Sequence, residues 1–226
     1  MSNNDVVTTM KIGDLSLYGV IFETSCHTIR YAADKTGHKF AVKQTSQNSL
    51  CDEYDMMEKI NCPYIMKAKG FEKKYEMNYL IMNLAEKEDL FISLCETGPK
   101  TEDVTRNIMF SIFTAVNYLH ANNIWHRDIT LENVFIFTDG LRDRYVLGDL
   151  EFAREFNIQW MNTEYIGSED YQAPELLMKQ RCMSNKINYY SYSNFRVNQQ
   201  KIQILLNKPI KKWINLYDHT KSLNMK

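Results

Sequence analysis

The sequence lacks the features of secreted, membrane-spanning and general nucleic-acid-binding proteins. Its five cysteines include no C-x-x-C pair, so neither a disulfide framework nor a common zinc spacing is indicated, and reduced thiols are expected. No basic segment followed by an apolar run opens the chain, and no apolar run approaches the roughly 20 residues that span a bilayer. A net charge of −1 gives no general attraction to nucleic acid or membranes. We therefore expect a cytoplasmic protein, with the nucleus as the other compartment that fits.

What is present is the composition of a globular protein with one unusual end. The 226 residues are 44% hydrophobic and 24% charged, which is typical of soluble domains, and the length permits one or two of them. Residues 194–226 differ, with seven Lys or Arg residues against one Asp. A solvated tail is the simpler interpretation of this segment, and binding to an acidic partner or nucleic acid is the alternative.

Apolar spacing predicts a sheet with one helix in the first part of the chain. Short alternating runs over residues 12–44 are typical of strands. Residues 48–60 switch to a spacing of threes and fours, which predicts a helix that Pro63 ends. Two further strands are expected near residues 65–72 and at residues 79–82.

The character of the chain changes to helix near residue 84. Residues 103–122 place their apolar side chains on one helix face, which is the strongest amphipathic signal in the sequence. Residues 124–175 follow as strand and loop. A sheet-rich first part and a helix-led second part predict an α+β fold.

Three short motifs occur in fixed order in the second part, namely His126 to Asn133, Gly148 to Glu151 and Tyr171 to Glu175. Each holds a residue type that phosphoryl transfer requires. Asp128 can orient a hydroxyl nucleophile and accept its proton. Asn133 and Asp149 are hard oxygen ligands, which suit a magnesium ion that bridges nucleotide phosphates. A solvated turn is the competing interpretation of the first motif, and the order of all three disfavours it.

With the strand and lysine from Phe40 to Lys43, these motifs resemble the eukaryotic protein kinase family in its serine/threonine type. The resemblance covers about residues 12–193 and implies a two-lobed α+β fold. The N-lobe is β-rich, and the helical C-lobe is incomplete because its final helices have no counterpart. The expected divisions are an N-terminal extension at 1–11, an N-lobe at 12–83, a partial C-lobe with the catalytic and activation loops at 84–193, and a basic tail without resemblance at 194–226.

The resemblance also implies roles for the site residues. Lys43 would pair with Glu53 and hold the α- and β-phosphates of ATP, where the alternative is two unrelated surface charges. Asp128 would be the catalytic base, and Thr130 would offer a hydroxyl where the family usually has lysine. The implied ligands are ATP and Mg²⁺, and the implied macromolecular partner is a protein substrate. The nucleotide pocket is expected from Lys43, Ile29, Ala41, Met82, Leu84 and Phe135.

Several positions depart from the family pattern. The glycines of the phosphate-covering loop align with Phe22, Thr24 and His27, whose side chains would keep backbone amides from the phosphates. Glu151 replaces another glycine and would be strained if the backbone needed a positive φ there. Weak nucleotide binding is the direct expectation. The sequence therefore supports two hypotheses, an ATP-dependent protein kinase and a pseudokinase that binds partners with little or no phosphate transfer.

The resemblance also gives expectations for the activation segment. In the family, the arginine at position 127 pairs with a phosphorylated residue, and Glu164 occupies that residue's place here. We hypothesise an activation segment ordered without phosphorylation, which a Glu164→Ala variant of unaltered activity would contradict. Ser168 stands where the family has a threonine that contacts the catalytic aspartate. His126 is expected to be packed rather than catalytic, and Leu150 to be an apolar plug.

Overall fold

The computed structural model describes residues 10–155, 168 and 171. The chain divides into two compact units. The first contains the residues up to Ile60 together with Met66–Leu84, and the second contains Asn61–Ile65 and the residues from Ala85 onward. The predicted α+β class and β-rich first part are confirmed. The division near residue 84 agrees with the sequence, whereas the transfer of residues 61–65 to the second unit does not follow from it.

The first unit is built on a six-stranded antiparallel sheet in the order β1-β2-β3-β4-β6-β5. One apolar cluster lies on one face of the sheet, because side chains alternate between faces along each strand. The strands are β1 (Met10–Ile12), β2 (Leu15–Glu23), β3 (Thr28–Ala33), β4 (Lys39–Thr45), β5 (Ala68–Lys74) and β6 (Met77–Asn83). The buried side chains of this cluster are Ile12, Leu15, Leu17, Ala32, Val42, Tyr79 and Ile81. Leu80 is also buried, on the opposite face of the sheet.

One helix, α1 (Ser49–Lys59), accompanies this sheet. Its bounds confirm the helix predicted over residues 48–60 to within one residue at each end. The backbone is already extended at Ile60, with φ −94° and ψ 126°, three residues before Pro63. Residues 61–65, which follow, belong to the second unit.

Residues 61–65 are bound to the second unit through its strand β9 (Arg142–Leu147). The backbone amide of Leu147 donates to the Tyr64 carbonyl at 2.9 Å, and the Arg144 guanidinium donates to the Pro63 carbonyl at 2.7 Å. Ile65 also forms an isolated parallel bridge with Leu147. Strand β5 begins at Ala68, three residues after the start of the strand expected near residues 65–72.

The second unit has two helices and two small antiparallel sheets among its described residues. Helix α2 (Leu90–Thr97) begins at Asp89, whose carboxylate accepts from the Ile92 amide at 2.9 Å. Helix α3 (Glu102–Ala121) confirms the predicted helix to within one residue at each end. The remaining strands are β7 (Ile124–Trp125), β8 (Val134–Asp139) and β10 (Arg154–Glu155), with β7 pairing β10 and β8 pairing β9.

No helix in the described part of the chain is long and apolar enough to cross a membrane. Several expectations fall outside the described residues, namely those for Glu164, for Glu175 and for the basic tail at 194–226.

Candidate active site

Four of the predicted nucleotide-pocket residues share one face of the first unit's sheet. Ile29 lies opposite Lys43, and Ala41 lies opposite Met82, in adjacent antiparallel strands. Directly opposed side chains point to the same face, and this face is opposite to the one that buries Val42. Ile29, Ala41 and Met82 are half-buried, as expected for side chains that form an apolar surface open to a ligand.

The other two predicted pocket residues lie elsewhere in the fold. Leu84 follows the end of β6 directly and is half-buried in the first unit. Phe135 belongs to β8 of the second unit, where it is half-buried and forms an isolated bridge with Asp89. Each unit thus carries a part of the predicted set.

The ion pair predicted between Lys43 and Glu53 is present. The ammonium of Lys43 on β4 lies 2.9 Å from a carboxylate oxygen of Glu53 on α1. The side chains are only 5% and 1% exposed, so the interpretation as two unrelated surface charges is wrong. A buried charge requires such a partner. The pair therefore fixes the ammonium in one position on the sheet.

The predicted base, Asp128, is held by two hydrogen bonds inside the second unit. One carboxylate oxygen accepts from the Ser168 backbone amide at 2.9 Å. The other accepts from the side-chain amide of Asn133 at 3.0 Å, and the same amide donates to the Asp128 carbonyl at 2.9 Å. Ser168 therefore contacts Asp128 through its backbone amide. Asp128 itself is buried, so its carboxylate has one defined orientation.

Thr130 has a structural contact in the same loop. Its side chain is buried, and its hydroxyl oxygen accepts from the Asn133 backbone amide at 3.2 Å. This bond closes the turn that carries Asn133 back toward Asp128. The hydroxyl retains its own proton as a donor, so the catalytic role expected for Thr130 stays a prediction.

Asp149 follows β9 in a strained backbone conformation. Its φ is 56°, and that of Arg127 is 68°, each in the left-handed region that costs a non-glycine residue about 1–2 kcal/mol. Strain at Glu151 was expected only if its backbone needed a positive φ. Glu151 is not among the described residues with positive φ, so its backbone carries no such strain. Strain of this kind concentrates at functional sites. Leu150 is fully buried, as expected for an apolar plug.

His126 connects the loop of Asp128 to the strand end that precedes Asp149. Its Nδ1 accepts from the Asp128 amide at 3.3 Å, which leaves the proton on Nε2 to donate to the Gly148 carbonyl at 2.9 Å. Burial lowers the pKa of His126, although Asp149, the Gly148 bond and Asp128 act in the opposite direction. His126 is thus a neutral packed residue, as the sequence indicated.

The buried state of His126 predicts a pH-dependent stability. Because its folded pKa lies below the ordinary value of 6.5, the unfolded chain binds more protons below that pH. The free energy of unfolding should therefore decrease as pH falls from about 6.5. Burial also lowers the pKa of His120, which contributes in the same direction.

Urea unfolding between pH 5 and 7 checks this prediction. A His126→Gln variant should show a shallower pH dependence than the wild type, whatever its stability at pH 7. The matched control is His38→Gln, since His38 is exposed in the β3–β4 turn. Equal pH dependence in the His126→Gln variant and the wild type would contradict the assignment.

Two contacts around the first motif were not foreseen from the sequence. The Tyr171 hydroxyl donates to a carboxylate oxygen of Glu132 at 2.9 Å. Arg127, expected to face Glu164, donates through Nε to the Phe152 carbonyl at 2.6 Å. The spacing of the motifs gives no signal for these pairs, because they join residues 25 to 39 positions apart.

The glycine-replacing residues lie at the end of the β2–β3 hairpin. Phe22 is directly opposite Ile29 and 54% exposed, so it extends the apolar face that carries Ile29. Thr24 and His27 close the turn, with the Thr24 amide donating to the His27 carbonyl at 2.9 Å. The three side chains are accommodated in the β2–β3 hairpin, whose strand pairing shifts register between Val20 and Phe22.

The sheet with its buried Lys43–Glu53 pair, and the loop that joins Asp128 to Asn133, define the fold class of protein kinase domains. Sequence comparison agrees, because the family described as "Protein kinase domain" matches residues 8–204. The chain therefore belongs to the eukaryotic protein kinase family. The match extends past residue 193, where the sequence motifs placed the end of the resemblance.

Individual relatives are serine/threonine or calcium/calmodulin-dependent protein kinases by name. The chain is 32% identical over 167 residues to a calcium/calmodulin-dependent protein kinase (cmkA) of Emericella nidulans, covering 72% of this chain and 39% of that one. It is 34% identical over 126 residues to serine/threonine-protein kinase AtPK1/AtPK6 of Arabidopsis thaliana (55% and 26% covered). It is 30% identical over 169 residues to serine/threonine-protein kinase RAD53 of Saccharomyces cerevisiae (70% and 20%). The chain thus spans well under half the length of these relatives.

Proposed function

We propose that this protein is an ATP-dependent protein kinase that transfers the γ-phosphate of ATP to serine or threonine hydroxyls of a protein substrate. The observation that carries the proposal is the fixed carboxylate of Asp128, with Ser168 and Asn133 each donating to one of its oxygens. A carboxylate has about four lone-pair sites. Among the described residues these two bonds leave further acceptor sites of the carboxylate for the proton of an incoming hydroxyl.

The proposed role of Asp128 is to orient the substrate hydroxyl and accept its proton as the new P–O bond forms. Its two hydrogen bonds supply the orientation in advance, so little reorganisation is needed during the reaction. The bond from His126 to the Gly148 carbonyl connects this loop to the segment that contains Asp149. The Asp149 residue is half-buried. His126 would act only by positioning.

The residues that the family uses for Mg²⁺ fit that ion. The side-chain nitrogen of Asn133 is engaged by Asp128, so the oxygen of the same amide is the atom directed elsewhere. Asp149 supplies a carboxylate on a backbone bend, and both groups are the hard oxygen ligands that Mg²⁺ prefers. When bound there, the ion would neutralise phosphate charge.

The first unit would hold the nucleotide. The buried pair of Lys43 and Glu53 presents an ammonium to the α- and β-phosphates. Ile29, Ala41 and Met82 on the same sheet face supply apolar surface for the adenine ring, with Leu84 and Phe135 as further members of the proposed set.

Nucleotide binding tests this part of the proposal. The thermal unfolding temperature should rise with ATP only when Mg²⁺ is present, because the ion is proposed to neutralise the phosphate charge. A ligand at 100 times its dissociation constant raises the free energy of unfolding by about 2.7 kcal/mol. Lys43→Ala should lose most of that shift. Lys35→Ala, which removes an exposed lysine in the β3–β4 turn, should keep it. No shift at millimolar ATP in the wild type would overturn the proposal.

The pseudokinase hypothesis makes a different prediction for the same protein. It expects nucleotide or partner binding without phosphate transfer, and the named relatives give it no specific support because all are kinases. A wild type that binds Mg²⁺-ATP but transfers no phosphate would establish it.

A further inference from the structure

The turn between β2 and β3, residues 24–27, is closed by one threonine hydroxyl. The hydroxyl oxygen of Thr24 accepts from the backbone amides of Cys26 and His27 at 3.2 and 3.0 Å. The same hydroxyl donates to the His27 carbonyl at 3.2 Å. It therefore uses its donor and both acceptor positions inside the turn.

A second threonine anchors the turn from outside. The Thr45 hydroxyl, buried at the end of β4, donates to the Cys26 carbonyl at 2.7 Å. Thr45 follows Lys43 by two residues, and the base of the turn is in register with this end of β4, since Thr28 lies opposite Gln44. The turn is thus anchored to the end of β4 that follows Lys43.

These bonds engage the amides that a phosphate would need. Backbone amides in a tight turn bind anions when they point outward with no other acceptor. In this turn the amides of Cys26 and His27 already donate to Thr24. A phosphate could use them only by displacing a hydroxyl that is also tied to the His27 carbonyl.

We infer that Thr24 is a specificity-determining residue, because it keeps the turn closed. A bound nucleotide is then held through its adenosine part and through the contact of its phosphates with Lys43, and it gains little affinity from contacts between its phosphates and the turn. This inference rests on the proposed function, because it assumes a nucleotide on the sheet face of Lys43. It predicts that ADP owes its extra affinity over adenosine in the wild type to Lys43 and Mg²⁺, and little of it to the amides of Cys26 and His27.

Two substitutions that differ by one oxygen atom test the inference. Thr24→Ala removes the hydroxyl and frees both amides, whereas Thr24→Ser keeps it. With Mg²⁺ present, calorimetry should show ADP binding to Thr24→Ala about tenfold more tightly than to the wild type, as one hydrogen bond to a charged group permits. Adenosine should bind unchanged, and Thr24→Ser should behave as the wild type.

Hydrogen exchange gives a readout that is independent of ligand. The amides of Cys26 and His27 should exchange faster in Thr24→Ala than in the wild type or Thr24→Ser. Thr36→Ala is the matched control, since Thr36 makes a similar hydroxyl contact, with Asp34 at 2.6 Å, in the β3–β4 turn. It should change neither ADP binding nor exchange at residues 26 and 27.

The possible outcomes separate the inference from the proposed function. An unchanged ratio of ADP to adenosine affinity in Thr24→Ala, with both ligands bound, overturns the inference and leaves nucleotide binding intact. Failure of every variant to bind either ligand overturns both. Unchanged amide exchange in Thr24→Ala shows that the hydroxyl does not close the turn, which also overturns the inference.

Discussion

Replacing Glu53 by glutamine is expected to lower the free energy of unfolding by about 3–5 kcal/mol, because it removes a negative charge that lies against the buried ammonium of Lys43. Both side chains are almost wholly inaccessible, at 5% and 1%, and the atoms lie 2.9 Å apart. Such a loss is a large fraction of the stability of an ordinary domain. Urea unfolding monitored by circular dichroism measures it.

A double variant and a surface pair provide the controls. Lys43→Met with Glu53→Leu should be much less destabilised than the sum of the single changes, because no charge is left buried. The Lys35–Asp14 ion pair is shorter, at 2.7 Å, but its side chains are about four-fifths exposed. Asp14→Asn should therefore leave the unfolding midpoint unchanged. A small effect of Glu53→Gln, similar to that of Asp14→Asn, would contradict the buried pair.

Replacing Asp128 by asparagine should lower kcat for phosphate transfer by about 10²- to 10⁴-fold, which is the usual contribution of a general base. The substituted side chain can still accept from the Ser168 amide, so the loop should persist. The dissociation constant for Mg²⁺-ATP should be nearly unchanged, since Asp128 is proposed to contact the hydroxyl. Steady-state kinetics with a nucleotide titration separate these two effects.

The control for this substitution is Asp103→Asn. Asp103 lies in the first turn of α3, where its exposed carboxylate pairs with Arg106. That variant should retain wild-type kcat. Retention of activity by Asp128→Asn would mean that another group accepts the proton, and loss of nucleotide binding in that variant would mean that its loop had lost its structure.

The sequence predicted the features that depend on local spacing. Helix α3 follows from the recurrence of apolar side chains over 103–122, and its observed bounds are Glu102–Ala121. The pairing of Lys43 with Glu53 followed from family resemblance, since the two residues are ten positions apart in different elements. In both cases the signal lies in residue type and separation along the chain.

Other features depend on tertiary contacts that leave no local pattern. Residues 61–65 join the second unit because the carbonyls of Tyr64 and Pro63 accept from the Leu147 amide and the Arg144 guanidinium of β9, and residues 61–65 could be of any type and still offer such carbonyls. Positive φ falls on Asp149 rather than on Glu151, although the glycine of the family motif pointed to position 151. The closure of the β2–β3 turn requires Thr24 to bond two amides at once. The sequence showed only that glycine was missing there.

The central claim, that this protein transfers the γ-phosphate of ATP to a hydroxyl, is tested most directly by phosphate transfer from Mg²⁺-ATP labelled at that position. The purified wild type, incubated with a library of serine- and threonine-containing peptides, should form phosphoserine or phosphothreonine well above the level of Asp128→Asn. Wild-type labelling no higher than in a sample without the protein, under conditions where the wild type binds Mg²⁺-ATP, would contradict the account and identify a pseudokinase.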